Sequence, residues 1–415
     1  MNVRSVFFRL FILFLTASPF VNAQRAGDSN FRLHRGDRVV LLGNTFVERM
    51  VEFGYFEALL NARLPKHRLT IRNLGWSADT LTIQLRPLSF GDYHEHLRRQ
   101  QADVVLLCFG MNESYSGSKG LAAFEKNLQT LIDALRSQRY NNRNPPRLAL
   151  VSPIPHERLG PLLPDPTLRN EQLKKYTLAM GKIAEHNQIP FVDLHTPMKQ
   201  LMDRRQGDPL TMNGIHLTQY GYWVSAQLLV DGLGFSVTPR RVEIDAAAAS
   251  YRANGVTVSV LTGGTERVAF KLADGRLPVP PPPPGSRAHP ELLARQPRLQ
   301  FNNLAPGRYS LEIDGQRIAT DNHERWAAGI TITSSPAHSD SEELRRAVQE
   351  KNQQFFYRWR AVNGEYIYGR RAKPFGVISF PSELEKLDDM VRDADQIIWD
   401  LAAPANLQEI ELVPE

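Results

Sequence analysis

Apolar positions in the first half of the chain follow two alternating rhythms. Short continuous runs occupy residues 39–42, 69–74, 104–109, 148–151 and 191–194. Between them, apolar residues recur every three or four positions. Val47, Met50, Val51, Phe53, Phe56, Leu59 and Leu60 form one such stripe, and residues 121–135, 168–183 and 220–233 carry others. Continuous runs suit strands buried on both faces, whereas the three-to-four spacing suits helices with one buried stripe. From about residue 36 to 235 the alternation predicts an α/β unit, a three-layer structure with a five-stranded parallel sheet between helices. In such sheets functional residues collect just past the carboxyl ends of the strands.

Beyond Phe235 the texture changes. Residues 256–261, 268–272, 309–313 and 330–332 read as short strands separated by glycine-containing turns. Among them lie five consecutive prolines, Pro280 to Pro284. Such a run holds an extended conformation and is expected to be exposed, as a stiff loop of a β-rich domain or as a ligand for a proline-recognising partner. From about residue 338 the helical pattern returns, with Leu344, Val348, Asn352 and Phe355 on one face and Asp340 or Ser341 as cap. The aromatic run Phe355-Phe356-Tyr357-Arg358-Trp359-Arg360 reads as a clamp onto another domain, with a substrate wall as the alternative. The expected organisation is an α/β domain over residues 24–235, a β-rich domain over 236–337 and a helical C-terminal segment over 338–415.

The first 23 residues read as an export signal. Arg4 and Arg9 precede an apolar run, and Val21-Asn22-Ala23 offers small residues for cleavage. The apolar stretch after Arg9 is about half the length needed to span a bilayer. The expected mature chain is therefore exported, periplasmic or extracellular, without a transmembrane segment. Charge adds little, because loss of Arg4 and Arg9 lowers the formal +6 to +4 and the basic residues are scattered. That pattern argues against nucleic acid as a partner. Cys108, the single cysteine, sits in an apolar run, which excludes an intrachain disulfide and points to a core residue. Histidines show no tight metal-ligand spacing and no phosphate-cradling glycine loop is present, so no metal or cofactor is expected.

Four segments carry the chemistry. Gly43-Asn44-Thr45 ends the first apolar run, and Asn73-Leu74-Gly75-Trp76-Ser77-Ala78-Asp79 ends the second. Gly110-Met111-Asn112-Glu113 ends the third, and Asn213-Gly214-Ile215-His216-Leu217 closes the α/β half. A hydroxyl at a strand-to-helix turn is exposed, and the helix N-terminus offers N–H groups to developing negative charge. A histidine near another strand end can take and return the hydroxyl proton. These are the parts needed for acyl transfer: nucleophile, base and oxyanion donors.

The order of these segments resembles the SGNH (GDSL-type) hydrolases, esterases with a flavodoxin-like parallel sheet. The resemblance covers about residues 36–235. Gly43, Gly75, Gly110, Asn112 and His216 match the family's blocks, while four positions depart. Asn44 and Thr45 stand where the family has Asp and the serine nucleophile, Glu113 where it has a second Asp, and Asn213 where it has the triad acid. The resemblance implies Thr45 as nucleophile, His216 as base and acid, and Asn213 as its orienting group. It further implies an oxyanion hole from the Thr45 N–H, the Gly75 N–H and the Asn112 side chain. Glu48, one turn past Thr45, and Glu113 are candidates for the missing acid; His156 and Glu157 follow another strand and either line the cleft or belong to a surface loop. The expected activity is hydrolysis of small-molecule or polysaccharide esters, such as acyl esters of carbohydrates. The rival is a ligand- or carbohydrate-binding module that keeps the cleft without the chemistry.

Overall fold

The computed structural model describes residues 31–86, 90–236, 239–360, 381–403 and 407–415. The export signal expected over residues 1–23 lies outside them. The apolar runs form strands β1 (Arg38–Gly43), β2 (Thr70–Asn73), β3 (Val104–Cys108), β4 (Arg147–Val151) and β5 (Phe191–Val192). They make one parallel sheet in the order β2-β1-β3-β4-β5. Between them run α1 (Thr45–Arg49), α2 (Tyr55–Arg63), α3 (Tyr93–Arg99), α4 (Leu121–Arg136), α5 (Thr167–Asn187), α6 (His195–Arg204) and α7 (Gln219–Gly232).

Alternate residues of each strand point to opposite faces. Leu41, Val104 and Leu106 pack with Leu59, Leu60 and Val224, while Val40, Leu42 and Leu107 pack with Leu97, Leu128 and Met180. Strand order reverses between β1 and β3, and a sheet of this kind opens its crevice at that switch point. The turns after β1, β2 and β3 are thereby brought together.

The stripe from Val47 to Leu60 predicted one helix, but the structure breaks it. Gly54 takes φ +69, a left-handed conformation that glycine adopts without strain, and starts α2. A Cβ there would lie 3.0 Å from the Arg345 carbonyl oxygen, so the break makes room for a later helix.

The β-rich region holds β6 (Arg241–Asp245), β7 (Ser250–Asn254), β8 (Thr257–Gly263), β9 (Val268–Ala273), β10 (Arg298–Asn302), β11 (Arg308–Ile313), β12 (Gln316–Asn322) and β13 (Ile330–Thr331), with short helices α8 (Pro290–Leu293) and α9 (His323–Ala328). They form two sheets around Ile244, Phe270, Phe301, Leu311 and Trp326. The proline run departs from the exposed loop expected at its start: Pro281 to Pro283 are half-buried and Pro284 is exposed. Pro280 is buried, and its carbonyl accepts a 2.8 Å bond from Trp223 Nε1 on α7. Prolines have no N–H to strand, so the segment lies against an apolar helix at no hydrogen-bonding cost.

The C-terminal helices are α10 (Pro336–Trp359) and α11 (Pro381–Leu401). Neither Asp340 nor Ser341 starts α10; Ser335 is its N-cap residue, with Pro336 in the first turn. Phe355, Trp359 and Val391 join the core beneath the parallel sheet, while Phe356 is half-buried. Arg72 of β2 pairs with both Asp395 oxygens at 3.0 and 2.5 Å. Lys351 Nζ meets Glu57 at 2.7 Å and the Ile71 carbonyl at 2.8 Å. The aromatic run is therefore a clamp. Strand β14 (Gln408–Pro414) then returns to the β-rich region and inserts between β9 and β11. No helix among the described residues is long and apolar enough to cross a membrane.

Candidate active site

Past β1, Asn44 caps α1, its Oδ1 accepting the Phe46 N–H at 3.2 Å. Thr45 is thus the first helical residue rather than the cap, half-buried at the helix N-terminus. Its N–H has no hydrogen-bond partner among the described residues. That is the expected state for a first-turn donor. Past β2, Asn73 ties two segments together: Nδ2 donates to the Val47 carbonyl at 2.6 Å, and Oδ1 accepts the Gly75 N–H at 2.9 Å. The Gly75 N–H has only one proton, so it is not available to an oxyanion in this conformation. What Gly75 supplies is space, because a Cβ there would stand 2.5 Å from the Glu48 backbone nitrogen.

Past β3, Gly110 has φ +101, and its N–H donates to Glu113 at 2.9 Å. The other Glu113 oxygen accepts the Leu81 N–H at 2.8 Å. Burial pushes the Glu113 carboxyl up, opposed by these backbone donors. Both of its oxygens serve the loops, so Glu113 is not the missing acid. Asn112 Nδ2 donates to the Asp79 carbonyl at 2.9 Å, which leaves its second N–H. Asp79 itself makes a two-oxygen pair with Arg86.

The fourth segment is a loop braced from β4. Glu157 accepts from the Leu210 and Thr211 N–H groups and the Thr211 hydroxyl, and its own N–H donates to the Gly214 carbonyl at 2.8 Å. His156 and Glu157 are both buried, at 8% and 7% exposure, so neither is a surface residue. Glu157 supports this loop, whereas the His156 backbone is held by Asn170 of α5. Within the loop, Asn213 Oδ1 accepts the backbone N–H groups of Ile215 and His216 at 3.2 and 2.9 Å. This fixes the carboxamide orientation and turns Nδ2 toward His216 Nδ1, 2.9 Å away. An amide N–H can only donate, so Nδ1 accepts and the neutral ring carries its proton on Nε2. Burial, then the Arg49 charge, hold the His216 pKa below the ordinary value.

No hydrogen bond joins Thr45 to His216 among the described residues. Their segments do meet, because Arg49 of α1 approaches Met212 at 4.0 Å, and Met212 bonds the His216 carbonyl. Residues 48–224 match the family described as GDSL-like lipase/acylhydrolase. This stretch is a GDSL-like hydrolase domain. The match contains Gly75, Asn112, Asn213 and His216 and begins three residues after Thr45.

Among solved structures, a gut microbial diltiazem-metabolizing enzyme superposes with TM-score 0.70 at 18% identity, covering 92% of this chain and 99% of that one. The shared fold thus includes the regions outside the hydrolase domain. A mutant of Axe2, an acetylxylan esterase from Geobacillus stearothermophilus, aligns over 49% of this chain and 98% of its own, at 19% identity and TM-score 0.39. No curated protein matches the sequence.

Glu48 does not approach His216 as a replacement acid. Its carboxylate pairs with Arg360 at 2.6 Å and accepts the Ser77 hydroxyl. Arg360 comes from the end of the C-terminal clamp and also donates to the Gly75 carbonyl at 2.7 Å. The aromatic run flagged this region of the sequence, but nothing in it paired Arg360 with Glu48 across 312 positions. Among the described residues, no group of three or more His, Cys, Asp or Glu side chains is arranged to hold a metal ion.

Proposed function

We propose that the protein is an exported, slow carboxylic ester hydrolase acting on small-molecule or polysaccharide acyl esters. What supports this reading is the GDSL-like match over residues 48–224 together with the strand order, which puts Thr45 and Asn112 past the ends of the adjacent strands β1 and β3. The approach of Arg49 on α1 to Met212, in the loop that carries His216, adds to it. The Thr45 hydroxyl attacks the ester carbonyl. The Thr45 N–H and the second Asn112 N–H face the developing oxyanion, a role Gly75 does not share. His216 takes the hydroxyl proton and returns it to the leaving alcohol, which requires a lone pair on Nε2.

That requirement explains why turnover is slow. The Asn213 contact favours the Nε2–H tautomer, and reversing it turns the carboxamide away from two backbone donors. Two hydrogen bonds at about 0.5–1.5 kcal/mol each amount to roughly 1–3 kcal/mol, a slowing of about 5- to 150-fold. The site is hindered rather than abolished. The methyl of Thr45 adds steric crowding that serine would lack.

The same hydrogen bond favours a second reading. With Nε2–H pointing outward, His216 is a donor suited to a ligand carbonyl, and the cleft binds acyl compounds without cleaving them. Turnover of a panel of acyl esters, with His216→Ala as control, separates the two. Hydrolysis lost in the control supports the hydrolase, and ligand retention without turnover in either protein supports the binding module.

A further inference from the structure

We propose that Arg360, carried by the C-terminal helix, is a positioning residue that locks the nucleophile helix to the Gly75 turn. The proposal rests on Thr45 acting as nucleophile. Helix α1 has five residues, far below the length at which a helix holds itself in water. Its direction is therefore set by what grips it. Val47 is buried, Tyr222 donates to the Phe46 carbonyl at 2.9 Å, and Asn73 holds the Val47 carbonyl. These contacts hold the middle of α1 from its packed side.

Arg360 supplies the remaining tie. One Nη donates to Glu48 Oε1 at 2.6 Å and the other to the Gly75 carbonyl at 2.7 Å. Its guanidinium lies 3.6 Å from the centroid of the Trp76 ring, and Arg86 lies over the same ring at 4.2 Å. A planar fork reaching two acceptors while stacked on an indole is a task for arginine that lysine cannot reproduce. The pair is sheltered, with side-chain exposures of 15% for Arg360 and 19% for Glu48. Burial lowers the Arg360 pKa, opposed mainly by Glu48. Glu48 stands three residues after Thr45, so the tie sits almost one helical turn from the attacking hydroxyl.

The helix that delivers Arg360 is itself anchored. Phe355 and Trp359 are 3% and 5% exposed, Arg345 donates to the Phe53 carbonyl at 2.8 Å, and Lys351 pairs with Glu57. The clamp thus does more than cover apolar surface. It completes a cleft whose catalytic groups all belong to the α/β half.

The test uses Arg360→Ala, Arg360→Lys and Glu48→Gln in the full-length protein, with p-nitrophenyl acetate as substrate and amide hydrogen exchange as second readout. Expected for Arg360→Ala is a roughly 10- to 100-fold fall in kcat with KM within about twofold, because Arg360 aligns the nucleophile without touching substrate. Arg360→Lys should recover little of it, and Glu48→Gln should fall in the same direction but less. Exchange should quicken in residues 45–49 and 74–77 of Arg360→Ala while the α10 core stays protected. A raised KM with unchanged kcat would make Arg360 a substrate contact and overturn the proposal, as would full recovery in Arg360→Lys. Unchanged exchange in both segments overturns it whatever the activity. If wild type hydrolyses no ester but exchange quickens as expected, the hydrolase reading fails while the lock stands.

Discussion

Asn213 faces His216 with its amide nitrogen, 2.9 Å from Nδ1, because its oxygen is already held by the backbone N–H groups of Ile215 and His216. An aspartate in this place would accept from Nδ1–H and leave Nε2 free as a base. Asn213→Asp is therefore expected to raise kcat/KM by about 5- to 150-fold, the same range as the tautomer cost. Combined with Thr45→Ser, the gain should exceed that of either change alone, since the groups act as a unit. Steady-state rates on a panel of acyl esters decide it. A flat or reduced rate in Asn213→Asp would mean that the asparagine is the working group.

The acid limb of the rate profile offers a second reading of the same contact. Burial and Arg49 hold the His216 pKa below its usual range, so the unprotonated ring persists as pH falls. Wild-type kcat/KM should decline only below about pH 6.5, the ordinary histidine value. In Asn213→Asp the new carboxylate stabilises the charged ring, and the limb should move to higher pH. An identical limb in both proteins would remove His216 from the rate-controlling ionisation.

Gly75 should tolerate nothing larger. A methyl group there meets the Glu48 backbone nitrogen at 2.5 Å and Val47 side-chain atoms at 2.7 and 2.8 Å, so α1 must shift. Gly75→Ala is expected to cost about 1–3 kcal/mol of stability through overpacking. It should also lower turnover by about 10²-fold through misplacement of Thr45. Urea unfolding alongside ester kinetics measures both. Wild-type behaviour would show that α1 is free to move without consequence.

Lys351 and Glu57 are both buried, at 0% and 4% side-chain exposure, and form the polar centre of the clamp. Burial pushes the Glu57 pKa up and the Lys351 pKa down, and each is opposed by the partner's charge. Lys351→Met strands the carboxylate and is expected to cost about 3–5 kcal/mol. Glu57→Gln in the same chain should recover part of that loss, because no unpaired charge then remains. Denaturant unfolding of the three variants tests this, and a harmless Lys351→Met would show that the pair does not anchor α10.

Three buried histidines tie stability to pH. His96, His156 and His338 are each held to about 4, chiefly by burial, with Arg99, Arg169 and Arg240 respectively adding repulsion. In the unfolded chain they titrate near 6.5, so below that pH the unfolded state binds protons that the folded state refuses. Stability is full above about pH 6.5 and falls as pH drops toward 4, by on the order of 2 kcal/mol per histidine at pH 5. Thermal melts between pH 7 and 5 should show the decline, and a flat Tm would contradict it.

The five apolar runs and their intervening stripes determined the parallel sheet and its helices, since local periodicity is dictated by which faces must be buried. The glycines at positions 43, 75 and 110, with Asn112, marked the site because each sits at or just past a strand end. His216 lies in the loop between α6 and α7 and was marked by its place in the family order. Other features depended on partners far away in the chain. The helical stripe broke at Gly54 because α10 needed the space, and the first proline of the run, Pro280, was buried where Trp223 met its carbonyl. β14 joined a sheet begun some 140 residues earlier. Sequence named Glu48, Glu113 and the Gly75 N–H as catalytic candidates, but hydrogen-bond partners are chosen in three dimensions. Arg360, the Leu81 and Gly110 amides and Asn73 had already engaged them. The identity of Asn213 raised the question of the His216 tautomer, and only the placement of two backbone N–H groups answered it.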